Sequence, residues 1–150
     1  MKIDIISLGK FKNTPPLKDV FEYYKKRIDL KVNLFELKTY NFEKKKKLTF
    51  EKNEVKKYLK QNDCLIALDK SGKMLSSEEF ANFLNEKMIN QTRRICFLIG
   101  SEIGLDDFFK KSGNVFSFGN QTWPHLIIRI MLIEQIYRSL EILKGSPYHK

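Results

Sequence analysis

The chain has 150 residues, 42% apolar and 13% aromatic, which suits one domain with a real core and excludes a disordered polymer. Its 28 Lys and Arg against 18 Asp and Glu give a formal charge of +10. Such an excess points to a polyanionic partner, nucleic acid first and an anionic membrane surface second, with plain solubility or a Lys-favouring genome as the ordinary alternative.

Residues 2–7 form a β-type run that ends at Gly9; its charge, and the lack of an apolar h-region, argue against a signal peptide. Pro15-Pro16 reads as a loop. Leu17, Val20, Phe21, Tyr24 and Ile28 make a helical stripe, and the alternation of residues 31–37 predicts a strand. Residues 41–59 are charged and helical in pattern, with sparse apolar positions. Residues 63–68 are a compact strand before a turn at Asp69-Lys70-Ser71-Gly72. Ser76 with Glu79 three residues later predicts a capping box, followed by a helix with Phe80, Phe83, Leu84 and Met88 on one face. Residues 94–99 form another apolar strand, residues 105–110 a short helix and residues 115–118 a last strand. Pro124 falls in the first turn of a C-terminal helix, where proline is tolerated. The order β-α-β-α-β-α-β-α-β-α predicts one α/β domain over residues 1–150, with a mostly parallel sheet and helices on both faces.

Cys64 and Cys96 stand in apolar stretches with no CxxC or Cys/His cluster, so reduced thiols are expected and a metal site is not. The apolar residues from Leu126 to Ile133, split by Arg129, fall far short of the roughly 20 needed to cross a bilayer. They surround the C-terminal helix on nearly all sides. One sheet face cannot cover such a helix, which suggests a homodimer; a central core helix is the simpler alternative.

Several stretches could carry chemistry. Gly100-Ser101-Glu102-Ile103-Gly104 follows a strand and precedes a helix, where parallel sheets bind ligands and glycine permits close approach. It is neither GxGxxG nor a P-loop, and a plain β-α turn is the commoner reading. Asn120-Gln121-Thr122-Trp123-Pro124-His125 occupies a similar place; an ordinary helix start capped by Thr122 is the simpler account. Asp69 could be a base, a ribose contact or a turn-former. His125 and Arg129 share a helix face, and Glu134 and Arg138 have ion-pair spacing. Lys44, Lys45, Lys46 and Lys47, with Lys56, Lys57 and Lys60 beyond, form either a solvated face or a phosphate-contacting surface.

In their order and spacing these stretches resemble the ribosomal RNA large subunit methyltransferase H family. The resemblance rests on Leu98-Ile99-Gly100, Gly104-Leu105, Thr122 with Pro124-His125, Arg129, the run Glu134-Gln135-Ile136-Tyr137-Arg138, and Pro147-Tyr148-His149. It implies a SPOUT-class α/β fold with a C-terminal trefoil knot, which periodicity alone cannot show. It further implies a cytoplasmic homodimer that transfers a methyl group from S-adenosylmethionine to N3 of a pseudouridine in 23S rRNA of the assembled ribosome. The cofactor would be held by Leu68, Gly100, Ser101, Asn120, Gln121, Thr122, Trp123, Pro124 and His125. The family usually has Gly-Gly where this chain has Gly100-Ser101, and a smaller apolar residue at Trp123.

Methylation at N3 requires the nitrogen to be aligned and its proton removed or shared. His149, Tyr148 and Arg129 are the candidate catalytic residues, with His125 a second possible base and Arg138 a further anion contact. The tip Tyr148-His149-Lys150 is expected to fold over a cofactor pocket, its own or a second subunit's. A non-catalytic ribosome- or RNA-binding protein of the same fold and a SPOUT enzyme acting on tRNA are the alternatives.

Overall fold

The computed structural model describes residues 1–12 and 14–150. Five strands carry apolar side chains on both faces: β1 (Lys2–Leu8), β2 (Lys31–Leu37), β3 (Cys64–Met74), β4 (Arg94–Ile99) and β5 (Asn114–Ser117). Between and after them come α1 (Pro15–Lys26), α2 (Lys44–Lys56), α3 (Ser77–Ile89), α4 (Asp107–Lys111) and α5 (His125–Leu143), in the alternation the sequence predicts.

The boundaries differ in instructive places. Pro15 and Pro16 open α1 instead of forming a loop, because the first helical N–H groups have no intrahelical acceptor to lose. The turn at Asp69–Gly72 interrupts β3 without ending it: pairing with β5 slips between Leu68 and Lys73 and resumes to Met74. The capping box forms as expected. Ser76 Oγ accepts from Glu79 N–H at 3.1 Å, and Glu79 Oε2 accepts from Ser76 N–H at 2.8 Å, worth about 1 kcal/mol.

All strand pairs are parallel, in the order β2-β1-β4-β3-β5. Alternation along the strands then builds two cores. Ile3, Ile5, Phe97 and Ile99 face α1, α3 and α5 through Phe21, Leu84, Leu132 and Ile136. Ile6, Leu8, Ala67 and Leu98 face α2 and α4 through Val55 and Phe109. The sheet is thus covered on both faces, as a parallel sheet requires. Within the single chain α5 is not buried all round: Leu126, Ile127, Ile128, Ile130 and Met131 stay part-exposed, while Leu132, Ile133, Ile136 and Leu140 are buried. No helix among the described residues is long and apolar enough to cross a membrane.

Candidate functional site

The strand order sets β3 between β4 and β5, and the turn that interrupts β3, with the loops leaving β4 and β5, encloses a cleft of about 780 Å³, within the range of about 300–1,000 Å³ usual for small-molecule sites. Leu68, Ile99, Phe116 and Ile128 give it an apolar floor. Asp69, Glu102, Gln121 and Thr122 bring polar groups to its walls, and Lys44 and Lys110 bring cations. Asp69 does make a turn, its Oδ1 accepting from the Ser71 N–H at 3.0 Å and the Ser71 hydroxyl at 2.6 Å. Burial works against its charge, but these bonds and Lys110 hold its carboxyl below the usual range.

The turn after β4 is tight. Gly104 N–H donates to the Ser101 carbonyl at 3.0 Å, and a Cβ on Gly100 would stand 2.8 Å from the Gly104 backbone, closer than any side chain tolerates. The Ser101 hydroxyl donates to Glu51 Oε2 of α2 at 2.9 Å. The other oxygen, Glu51 Oε1, is buried without a hydrogen-bond partner. Burial pushes the Glu51 carboxyl up, against the opposing pull of Ser101 and Lys47. Lys47 Nζ lies 4.0 Å from it, too far for a hydrogen bond, and is committed instead to Glu102 on the cleft wall. Sequence reasoning missed this pair, reading Lys47 with its neighbours as surface. Lys47, Glu51 and Val55 repeat every four residues and form the buried stripe of α2; that spacing was the available signal.

At the β5–α5 connection, α5 starts at His125 with Pro124 as its N-cap residue and no side-chain cap. Thr122 therefore does not cap the helix, since it stands two residues before the N-cap position. Gln121, Thr122, Trp123 and Pro124 line the cleft as exposed residues, whereas Asn120 is exposed outside its lining. His125 forms part of the wall. Burial first, and then the Arg129 charge, push its imidazole below the usual range, so it is neutral at pH 7. Gly9, at φ +98°, brings the end of β1 against it: a Cβ there would meet His125 Nε2 at 3.0 Å.

Three comparisons place this chain in a wider context. The family model described as "Predicted SPOUT methyltransferase" matches residues 1–149. Proteins named ribosomal RNA large subunit methyltransferase H from Clostridium botulinum (strain Eklund 17B / Type B) and Streptococcus equi subsp. zooepidemicus (strain MGCS10565) are 38% and 39% identical, each over the full length of both chains. The chain belongs to the ribosomal RNA large subunit methyltransferase H family of SPOUT methyltransferases. A solved structure of a probable methylase family protein from Haemophilus influenzae Rd KW20 is similar at a TM-score of 0.56, covering 99% of this chain and 70% of that one. At 12% identity it speaks for the fold alone.

In this SPOUT chain, Leu68, Gly100, Ser101 and the five residues from Gln121 to His125 converge on one cleft, although they are far apart in sequence. The candidate catalytic residues lie elsewhere. Arg129 is fully buried. Its Nη1 donates to Glu36 Oε1 at 2.9 Å, its Nη2 to the Gly9 carbonyl at 2.8 Å, and its guanidinium lies 4.8 Å from the Phe11 ring centre. A guanidinium so committed ties α5 to the loop after β1 and has no free face for a substrate phosphate.

Tyr148 and His149 dock on their own chain, away from the cleft lining. Tyr148 OH donates to Glu134 Oε1 at 3.0 Å, and its ring packs edge-on against Tyr137 at 4.9 Å. Glu134 is paired with Arg138 at 2.7 Å, the ion pair its spacing predicts. His149 Nδ1 is 3.3 Å from Arg138 Nη1, and its Nε2 is 2.8 Å from Glu78 Oε1. One neutral tautomer satisfies both, accepting at Nδ1 and donating from Nε2. Hydrogen bonding to His149, helped by Ser76 and the helix start, holds the Glu78 carboxyl down at about 2. Cys64 and Cys96 are free thiols; burial raises both, Cys96 to about 12. No cluster of metal-ligating side chains is present among the described residues.

Proposed function

We propose that this chain methylates 23S rRNA at N3 of a pseudouridine in the assembled ribosome, using S-adenosylmethionine, as a cytoplasmic homodimer with the knotted topology of its class. The convergence on one cleft of the turn within β3 and the loops after β4 and β5, in a chain matching this family over its whole length, carries the reading.

The cleft suits the cofactor's chemistry. Leu68, Ile99, Phe116 and Ile128 offer an apolar bed for a purine ring. Gly100 permits close backbone approach, and Asp69 and Glu102 supply negative charge near a cationic ligand. When bound, S-adenosylmethionine supplies an electrophilic methyl group on a sulfonium sulfur. The residues of the chain then act by position. Gln121 and Thr122, unspent on capping, are available to bind polar edges. Neutral His125 at the cleft wall can accept a proton from the target nitrogen. Arg129 acts as a positioning residue that ties α5, which begins at His125, to the β1 loop.

The part-exposed apolar side of α5 supports the homodimer, since a second copy would cover Leu126, Ile127, Ile130 and Met131. Tyr148 and His149 reach a cleft only if that cleft belongs to the partner subunit. Deleting residues 148–150 should then abolish methylation while leaving S-adenosylmethionine affinity within twofold; full activity of the truncation would remove the tip from the mechanism. The function as a whole is tested by radiolabelled methyl transfer to 70S ribosomes, free subunits and tRNA in parallel. Incorporation into 70S particles alone is the expected outcome, and incorporation into tRNA, or none together with no calorimetric cofactor binding, would overturn it.

A further inference from the structure

One feature of the surface beside the cleft is used by none of this chemistry. Between β2 and α2 the chain exposes two aromatic rings, Tyr40 at 43% and Phe42 at 36%. The rings stack on each other, with centres 5.6 Å apart and planes 13° apart. Phe50 of α2 props both from beneath, edge-on, at 4.9 Å and 5.7 Å. The pair is therefore a rigid ledge, preorganised by its own packing.

The ledge is flanked by cations. Of the four consecutive lysines that open α2, only Lys47 turns inward. Lys44, Lys45 and Lys46 are exposed, and among the described residues none of them forms an ion pair. Lys46 Nζ lies 4.8 Å from the Phe42 ring centre. Lys44, two residues past Phe42 in the chain, lines the cleft, so this lysine row reaches the cleft edge. Glu43 is the one acidic residue within this stretch. Three lysines at the positive end of a helix dipole disfavour the helix, so stability does not explain them.

Exposed aromatic rings beside lysines without ion-pair partners match unpaired nucleotides: bases stack on the rings, phosphates meet the cations. An acidic protein could satisfy the lysines but would leave the ring faces without use. A symmetric contact with a second copy would bring like charges together. We propose that Tyr40 and Phe42, with Lys44, Lys45 and Lys46, form a stacking platform for unpaired RNA flanking the target nucleotide, so that the substrate strand enters the cleft along α2. The proposal rests on the rRNA reading above for its substrate, but its test does not depend on methyl transfer.

The test measures fluorescence anisotropy of a labelled ten-nucleotide single-stranded RNA against the full-length protein over a salt series. Tyr40→Ala/Phe42→Ala should weaken binding about tenfold or more at fixed salt, because stacking on a ring typically carries that much per base. Tyr40→Phe/Phe42→Tyr should restore binding, which separates loss of ring faces from misfolding. Lys45→Gln/Lys46→Gln should lower the salt slope by about 1.4, two charges at about 0.7 each on a single strand. Calorimetric affinity for S-adenosylmethionine should stay unchanged in the ring variants. Unchanged RNA binding and salt slope in both variants would overturn the platform. So would a sedimentation shift of the alanine ring variant to a smaller species, which would make the ledge a subunit contact. If RNA binding responds as stated while the protein binds no S-adenosylmethionine, the platform stands and the methyltransferase reading falls.

Discussion

The two ends of the parallel sheet handle buried charge in opposite ways. At the amino end, Arg94 opens β4 and is satisfied on every side: its Nε donates to Asp4 Oδ2 at 2.6 Å, its Nη1 to Asp63 Oδ2 at 2.8 Å and its Nη2 to the Tyr58 carbonyl at 2.8 Å. At the carboxyl end, buried polar atoms lack partners: Ser7 Oγ near the end of β1, Glu51 Oε1 behind the cleft and Arg129 Nε beneath the β1 loop. Both ends sit on the same strands and the same core. A closed network fixes strand ends relative to one another, whereas an incompletely satisfied one leaves desolvated groups such as Glu51, whose carboxyl burial pushes up. The first end is held by closed ion pairing, and the second carries the cleft.

The largest effect should come from breaking the closed end. Arg94→Met leaves Asp63 without its cation and Asp4 with only the more distant Lys2, and should cost about 3–5 kcal/mol in urea unfolding. A loss under about 1 kcal/mol would mean that the amino end is no more closed than the other. Gly100→Ala probes the open end, where the added carbon must push the Gly104 backbone away. We expect about 1–3 kcal/mol of destabilisation and, under the proposed function, at least a tenfold loss of S-adenosylmethionine affinity by calorimetry.

Glu51 sharpens the contrast with a smaller effect. Glu51→Ala removes the acceptor of the Ser101 hydroxyl and should cost about 1–2 kcal/mol. Glu51→Gln keeps an acceptor and removes the ionisation. Because burial raises the Glu51 carboxyl pKa, the native state holds its proton longer than the unfolded chain does, and this contribution to stability is lost as pH rises from 4.5 through the raised value. The Gln variant should therefore gain on the natural protein between pH 4.5 and 7.5, read as a shift in urea midpoint. His125 has the opposite sign and the smallest expected effect. Its pKa is lowered, so the unfolded chain binds a proton near 6.5 before the native state does, and stability declines as pH falls below that value. His125→Asn should flatten the fall in melting temperature between pH 7 and 5; an unchanged slope would place the titration elsewhere.

Much of the fold was legible because it depends on neighbours in sequence. The alternation in β2, the apolar run of β4 and the Ser76–Glu79 box each carry their signal within a few residues. The candidate site was legible in part: the turn at Asp69–Gly72 and the strand-to-helix connections after β4 and β5 were recognisable, and the resemblance assigned them to one pocket. Lys47 and Glu51 were hidden because charged residues in a helix read as solvent-facing, and only packing against the Gly100–Ser101 turn turns them inward. Thr122 misled for the same reason, since a capping residue is identified by type while the helix start is fixed by tertiary contacts of α5.

Local pattern along the chain was enough for the ten alternating elements, the parallel sheet they imply and the family to which the chain belongs. Tertiary structure alone decided that β3 sits between β4 and β5, that Arg129 is committed to Glu36 and the Gly9 carbonyl, and that Tyr148 and His149 rest on α5 and α3 of their own chain. Periodicity reports which face of an element is apolar, a local quantity. Strand order and the partner of a buried charge are set by long-range pairing, where hydrogen bonding and desolvation select among arrangements that one stretch of sequence fits equally well.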